Sequence, residues 1–217
     1  MKSCQGKRPY DLRKRQASSD RNRSAVVQAA RGILEREGFL QFSMAAIAKE
    51  SGLTRQTVHN LFGTKVDVIE ALFDDMAQRA GMQSMQFIMQ QSDAARMTSG
   101  YLRLMVSLWS QDHVLIRRIR GLRAIDPELE SALHRRDERK QKVIGRILDM
   151  IDRQQGYATS ADQRQYHHSI LYAFTSFEVY EQLAESLGSE EGVTKAVLHA
   201  VGQALDLDLL TAPEVPG

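Results

Sequence analysis

The chain has 217 residues, 42% of them hydrophobic and 26% charged, with a net charge of +2. That length and apolar share support a full core in one large domain or two smaller ones. Cys4 is the only cysteine, which excludes an internal disulfide, and no apolar run approaches the ~20 residues of a membrane span.

Gly and Pro are sparse, good helix formers are common, and neither strand alternation nor a hairpin dipeptide occurs. The pattern predicts an all-α protein. Residues 1–19 read as a disordered basic arm, charged but without the apolar region of a signal peptide. A helix is expected from about Arg21, where Val26, Ala30, Ile33 and Leu34 form one stripe, with Gly38 stopping it. Two short helices follow, Ser43 and Thr54 standing before them as N-cap candidates. Gly52 supplies the tight turn between them.

Later helices are expected from Lys65 toward about Gln91, from about Asp93 to Asp112, and over the short stretch before Gly121. Asp126-Pro127 is a strong start signal for a helix to about Gln155, with Asp capping and Pro in the first turn. Thr159–Leu187 and Ser189–Leu209 complete the set, and the last residues read as a loose tail.

Two short helices cannot stand alone, so their mutual geometry must matter. On a helical wheel of Thr54–Phe62, Val58, Leu61 and Phe62 share an inward arc. Arg55, Gln56, His59 and Asn60 share another, on which every side chain can donate a hydrogen bond and none is acidic. Arg can fork onto guanine, and Gln or Asn can pair bidentately with adenine, so this face suits a major groove. A helical hairpin with a solvated polar face is the plainer alternative. Charge favours the groove: residues 1–65 hold 13 Lys+Arg against 5 Asp+Glu, and residues 66–217 hold 16 against 22. A basic head on an acidic body suits a polyanion.

The ordered set Ala29-Ala30, Glu37-Gly38-Phe39, Ser43, Ile47-Ala48, Gly52-Leu53-Thr54, Thr57-Val58, Phe62 and Lys65 resembles the TetR family of bacterial transcriptional regulators. The resemblance implies about nine helices: a helix-turn-helix DNA-binding domain over 20–65, and a helical effector-binding and dimerisation domain over 66–210. It implies that Thr54, Arg55, Gln56, Thr57, His59 and Asn60 lie on or beside the recognition helix. Lys65 would open the fourth helix and touch phosphate, aided by that helix's N-terminus. His59 departs from the tyrosine typical of the family, which puts its phosphate contact in question. Ser43 and, at the end of the arm, Arg23 complete the expected DNA contacts, the latter reaching backbone or minor groove.

In the body, Val193, Ala196, Val197, Ala200, Val201 and Ala204 form a small-sided stripe at helical spacing, preceded by Phe177 and Ala184. These are read as a dimer interface, with core packing as the rival. Met85, Tyr101, Met105, Trp109, Tyr172 and Phe174 are the candidate pocket for a largely apolar effector, methionine making adaptable walls. The cationic run 116–123 reads as a solvated face, with contact to DNA or an acidic ligand as the alternative, and the mixed-sign run 134–142 reads as a solvated face. No HExxH, P-loop, GxGxxG or GxSxG pattern occurs, so no metal, cofactor or enzymatic activity is expected. The expected function is a cytoplasmic homodimeric repressor released from a double-stranded operator by a small molecule. The alternative is a DNA-bound scaffold or nucleoid factor whose body binds a protein.

Overall fold

A computed structural model describes the backbone of residues 9–121 and 126–212. Part of the basic arm, Cys4, residues 122–125 and the tail from 213 lie outside that description. Among the described residues all regular structure is helical. The chain divides into two compact units, 1–75 and 76–217, the boundary falling inside one helix.

In the first unit, α1 (Pro9–Arg36) is followed by α2 (Met44–Ser51), α3 (Arg55–Phe62) and the start of α4 (Lys65–Arg79). The disordered-arm expectation is corrected here, since residues 9–19 belong to α1. Leu12, Lys14, Gln16 and Ala17 are good helix formers, and Gln16 donates to Asp20 one turn on at 2.9 Å. Val26, Ala30, Ile33 and Leu34 are at most 2% exposed on α1, which packs against α2 and α3, where Ile47 and Val58 are fully buried. Arg31 is buried among them, and its guanidinium bonds Asp75 and Glu35 at 3.2 Å each. It ties α1 to α4 through charge inside an otherwise apolar seam.

The second unit contains α5 (Met85–Ile88), α6 (Ala94–Gln111), α7 (His113–Arg120), α8 (Pro127–Gln155), α9 (Ala161–Phe174), α10 (Phe177–Leu187) and α11 (Glu190–Leu205). Asp126 caps α8 as its sequence predicts, its carboxylate accepting from Glu128 and Leu129 N–H. Two expected long helices are broken. The one from Lys65 ends at Arg79 because Gly81 takes φ +82°, a left-handed conformation that stops the helix and that glycine tolerates. The one from Thr159 divides at Thr175 and Ser176. The Thr175 hydroxyl donates to Leu171 O at 2.6 Å, and Ser176 Oγ accepts from Val179 N–H, capping α10. Local hydroxyl bonds replace the helical ladder there.

α11 packs against α6, α9 and α10. Val193, Val197 and Val201 face inward at no more than 1% exposure, and Phe177 is 3% exposed. This corrects the interface reading for those four residues: their side chains are already spent inside their own chain. Ala184, Ala196, Ala200 and Ala204 remain half-buried.

Candidate nucleic-acid interface

The proposed reading surface rests on two capped helices and one turn. Ser43 is extended, and its Oγ accepts from Ala46 N–H at 3.2 Å. Thr54 caps α3, its Oγ1 accepting from Thr57 N–H at 3.1 Å while the Thr54 and Thr57 hydroxyls meet at 2.8 Å. Between them Gly52 has φ +70°, and its N–H and that of Leu53 return to carbonyls at the end of α2. The chain thus leaves α2 and re-enters α3 in three residues, with its backbone groups satisfied at the corner. Of the candidate DNA contacts, Ser43 and Thr54 use their oxygens as helix caps, and the Thr57 hydroxyl meets that of Thr54. Thr54→Ala should cost the unit about 1 kcal/mol, read as a lowered unfolding midpoint by circular dichroism, with Thr54→Ser close to the parent.

Arg55, Gln56, His59 and Asn60 all lie on the exposed side of α3, opposite buried Val58 and Phe62. Gln56 Nε2 donates to Asn60 Oδ1 at 2.8 Å, so the two amides hold each other one turn apart. Neither carboxylate nor large apolar side chain stands on this face. The arrangement is a row of hydrogen-bonding groups on a fixed helix.

Two expectations change. Arg23 does not extend as an arm: it donates to Leu61 O at 2.6 Å and stands 4.3 Å from the centroid of the Phe62 ring. It supplies a cation at the end of α3, where the Gly63 and Thr64 N–H groups already return to the His59 and Phe62 carbonyls. Lys65 is half-buried at the start of α4. There the Asp67 carboxylate accepts from Thr64 N–H and Thr64 Oγ1, both at 2.8 Å, while Asp67 N–H donates back to Thr64 Oγ1. A negative charge therefore already occupies the helix start that was expected to draw phosphate. This reciprocal cap was legible as Thr64-x-x-Asp67 and went unread.

In the body two of the candidate pocket residues, Tyr101 and Trp109, both meet Thr175. Tyr101 is 2% exposed, and burial pushes its phenol above its ordinary pKa while Thr175 bonds it. Trp109 Nε1–H donates to Thr175 O at 3.2 Å and its ring meets Phe177 edge-on at 5.8 Å. Met105 is buried; Met85 and Phe174 are half-buried. Tyr172 turns instead to Lys140 and His168. Two cations of the run before Arg123 are paired across helices, Arg117 with Glu181 and Arg120 with Glu178. Among the described residues no group of three His, Cys, Asp or Glu side chains could hold a metal ion, and no helix is long and apolar enough to cross a membrane.

Comparison with known proteins bears on this geometry. Residues 26–72 match the family described as bacterial regulatory proteins, tetR family. Over those residues the chain is similar to TetR-family regulators. Curated proteins gave no sequence match. Solved structures share the fold over most of the chain. A TetR transcription regulator from Haloarcula marismortui superposes with a TM-score of 0.65 at 17% identity, covering 86% of this chain and 97% of its own. A Syntrophomonas wolfei protein assigned to the same family reaches 0.70 at 17% identity, over 88% and 98%. SmeT in complex with triclosan reaches 0.62 at 14% identity, over 90% and 99%. SmeT is the repressor of the multidrug efflux pump SmeDEF in Stenotrophomonas maltophilia. The TetR fold thus extends from α1 through α11, with more helices than the nine expected because two predicted ones are interrupted.

Proposed function

We propose that this TetR-type chain acts as a homodimeric, sequence-specific transcriptional repressor that a largely apolar small molecule releases from its operator. The observation that carries the reading is the face of α3: four exposed donors, no acid, on a helix capped at Thr54 and anchored by Val58 and Phe62. Arg55, Gln56, His59 and Asn60 are the base-reading set, and the Lys65 ammonium is the phosphate contact, without help from the α4 start that Asp67 already caps. Residues 20–65 read DNA and residues 66–210 bind effector and pair with a second copy. Two heads on one duplex need half-sites about one helical turn, ~34 Å, apart. The small half-buried residues Ala184, Ala196, Ala200 and Ala204 suit close approach of helices from two copies. The SmeT complex shows that this fold accommodates a small aromatic molecule in that protein. An effector that favours the DNA-incompetent state must itself bind more weakly when operator is bound, because coupling is reciprocal.

Lys65→Ala tests the phosphate role. Affinity should fall by a similar factor on every duplex, and the slope of log K against log salt should flatten by about one unit. Fluorescence anisotropy at several salt concentrations, on a preferred and an unrelated duplex, reads both. An unchanged slope rejects the phosphate contact.

A further inference from the structure

The inward stripe of α8 is interrupted. Leu129, Ala132 and Leu133 are buried at one end, and Ile144, Ile147, Leu148 and Ile151 at the other. Between them the helical spacing places Arg136, Asp137 and Lys140, all half-buried. The sequence reads this run as a solvated face, and the structure corrects that for Lys140. Its Nζ donates to Tyr172 O at 2.7 Å and stands 4.0 Å from the centroid of the Tyr172 ring. The Tyr172 ring is near-parallel to that of His168, centroids 6.3 Å apart.

The Tyr172 carbonyl and ring that meet Lys140 carry no charge. The acids acting on Lys140, Asp137 and Glu178, do so through space, and Glu178 is engaged by Arg120 Nε at 2.8 Å. Burial is the largest influence on the ammonium and lowers its pKa to about 8. The group is therefore still mostly protonated at neutral pH. A partly desolvated cation that no carboxylate hydrogen-bonds among the described residues is costly unless something else compensates it. Lysine keeps three N–H donors, and the Tyr172 carbonyl takes one.

We propose that Lys140 is the anchor for an acidic effector: a carboxylate on an apolar or aromatic body, bound between α8 and the end of α9. The carboxylate accepts from the remaining ammonium donors, and the Tyr172 ring offers its flank to the body. This deepens the effector reading above and rests on it for any consequence at DNA, while the binding itself is independent of DNA.

The test uses 2-naphthoate and its neutral match 2-naphthamide on the full chain without DNA. Binding is followed by calorimetry and by the fluorescence of Trp109, the only tryptophan. The acid should bind about ten-fold or more tightly than the amide. Lys140→Met should bring the two affinities together while amide binding persists, and Lys140→Arg should keep the preference; Lys140→Gln replaces the Met variant if that fails to fold. Equal affinities in the parent, no binding of the acid, or a preference that survives loss of the lysine overturns the proposal. Acid binding that depends on Lys140 but leaves DNA affinity unchanged supports the site and rejects its coupling to the operator.

Discussion

Gln56→Ala is expected to lower affinity for the preferred duplex by about five- to 150-fold, one bidentate contact to adenine being worth about 1–3 kcal/mol. Affinity for an unrelated duplex should be nearly unchanged. The reason is positional: Gln56 is exposed on the acid-free side of α3. The Gln56 amide is bonded to Asn60 Oδ1 at 2.8 Å in the DNA-free structure. Removing Gln56 therefore releases Asn60 as well. The double variant Gln56→Ala/Asn60→Ala should lose less than the sum of the singles, because the two residues share one network. Anisotropy competition between preferred and scrambled duplexes separates these outcomes. Equal loss on both duplexes rejects base reading by Gln56.

The largest stability effect is expected at Phe62. It is 6% exposed at the end of α3, and its ring carries the Arg23 guanidinium. An eight-residue helix has little stability of its own, so α3 exists because Val58 and Phe62 bury their side chains. Phe62→Ala should cost about 3–5 kcal/mol, the lost transfer energy plus an incompletely closed cavity. That is a large part of the about 5–15 kcal/mol typical of a whole domain. Hydrogen exchange should rise first in α2 and α3, and DNA binding should fail although every residue of the reading face is intact. Phe62→Leu should recover most of the loss. A change below about 0.5 kcal/mol, the level of an ordinary surface substitution, would mean that α3 is held by something other than this burial.

Local chemistry made much of the fold readable in advance. Ser43, Thr54, Asp93, Asp126 and Ser189 each precede a helix in the sequence, and each accepts a first-turn N–H in the structure. A cap acts within four residues, so its signal is contained in the words that form it. The break at Thr175-Ser176 was not readable, because an apolar period continues across a kink when both halves bury the same side. Hydroxyls there can serve a helix interior or end it, and tertiary packing decides. The placement of Arg23 depends on where α3 ends against α1, a contact spanning 38 residues.

Lys140 was misread for a related reason. Its neighbours His134, Arg135, Arg139 and Lys142 are exposed, so the segment's composition is that of a solvated face. Only the packing of α9 on α8 turns one lysine toward Tyr172. The stripe Val193, Val197 and Val201 shows the converse. Its period was read correctly, but periodicity cannot say whether the face it predicts meets the same chain or another copy.

Selection from a random duplex pool tests most directly whether α3 presents its donors to base-pair edges. Purified full-length protein should enrich one motif with two inverted half-sites about one helical turn apart. The preferred duplex should bind at least about a thousand-fold more tightly than scrambled DNA at physiological salt. A pool that stays random through successive rounds, or affinity that depends on salt and duplex length but never on sequence, would contradict it.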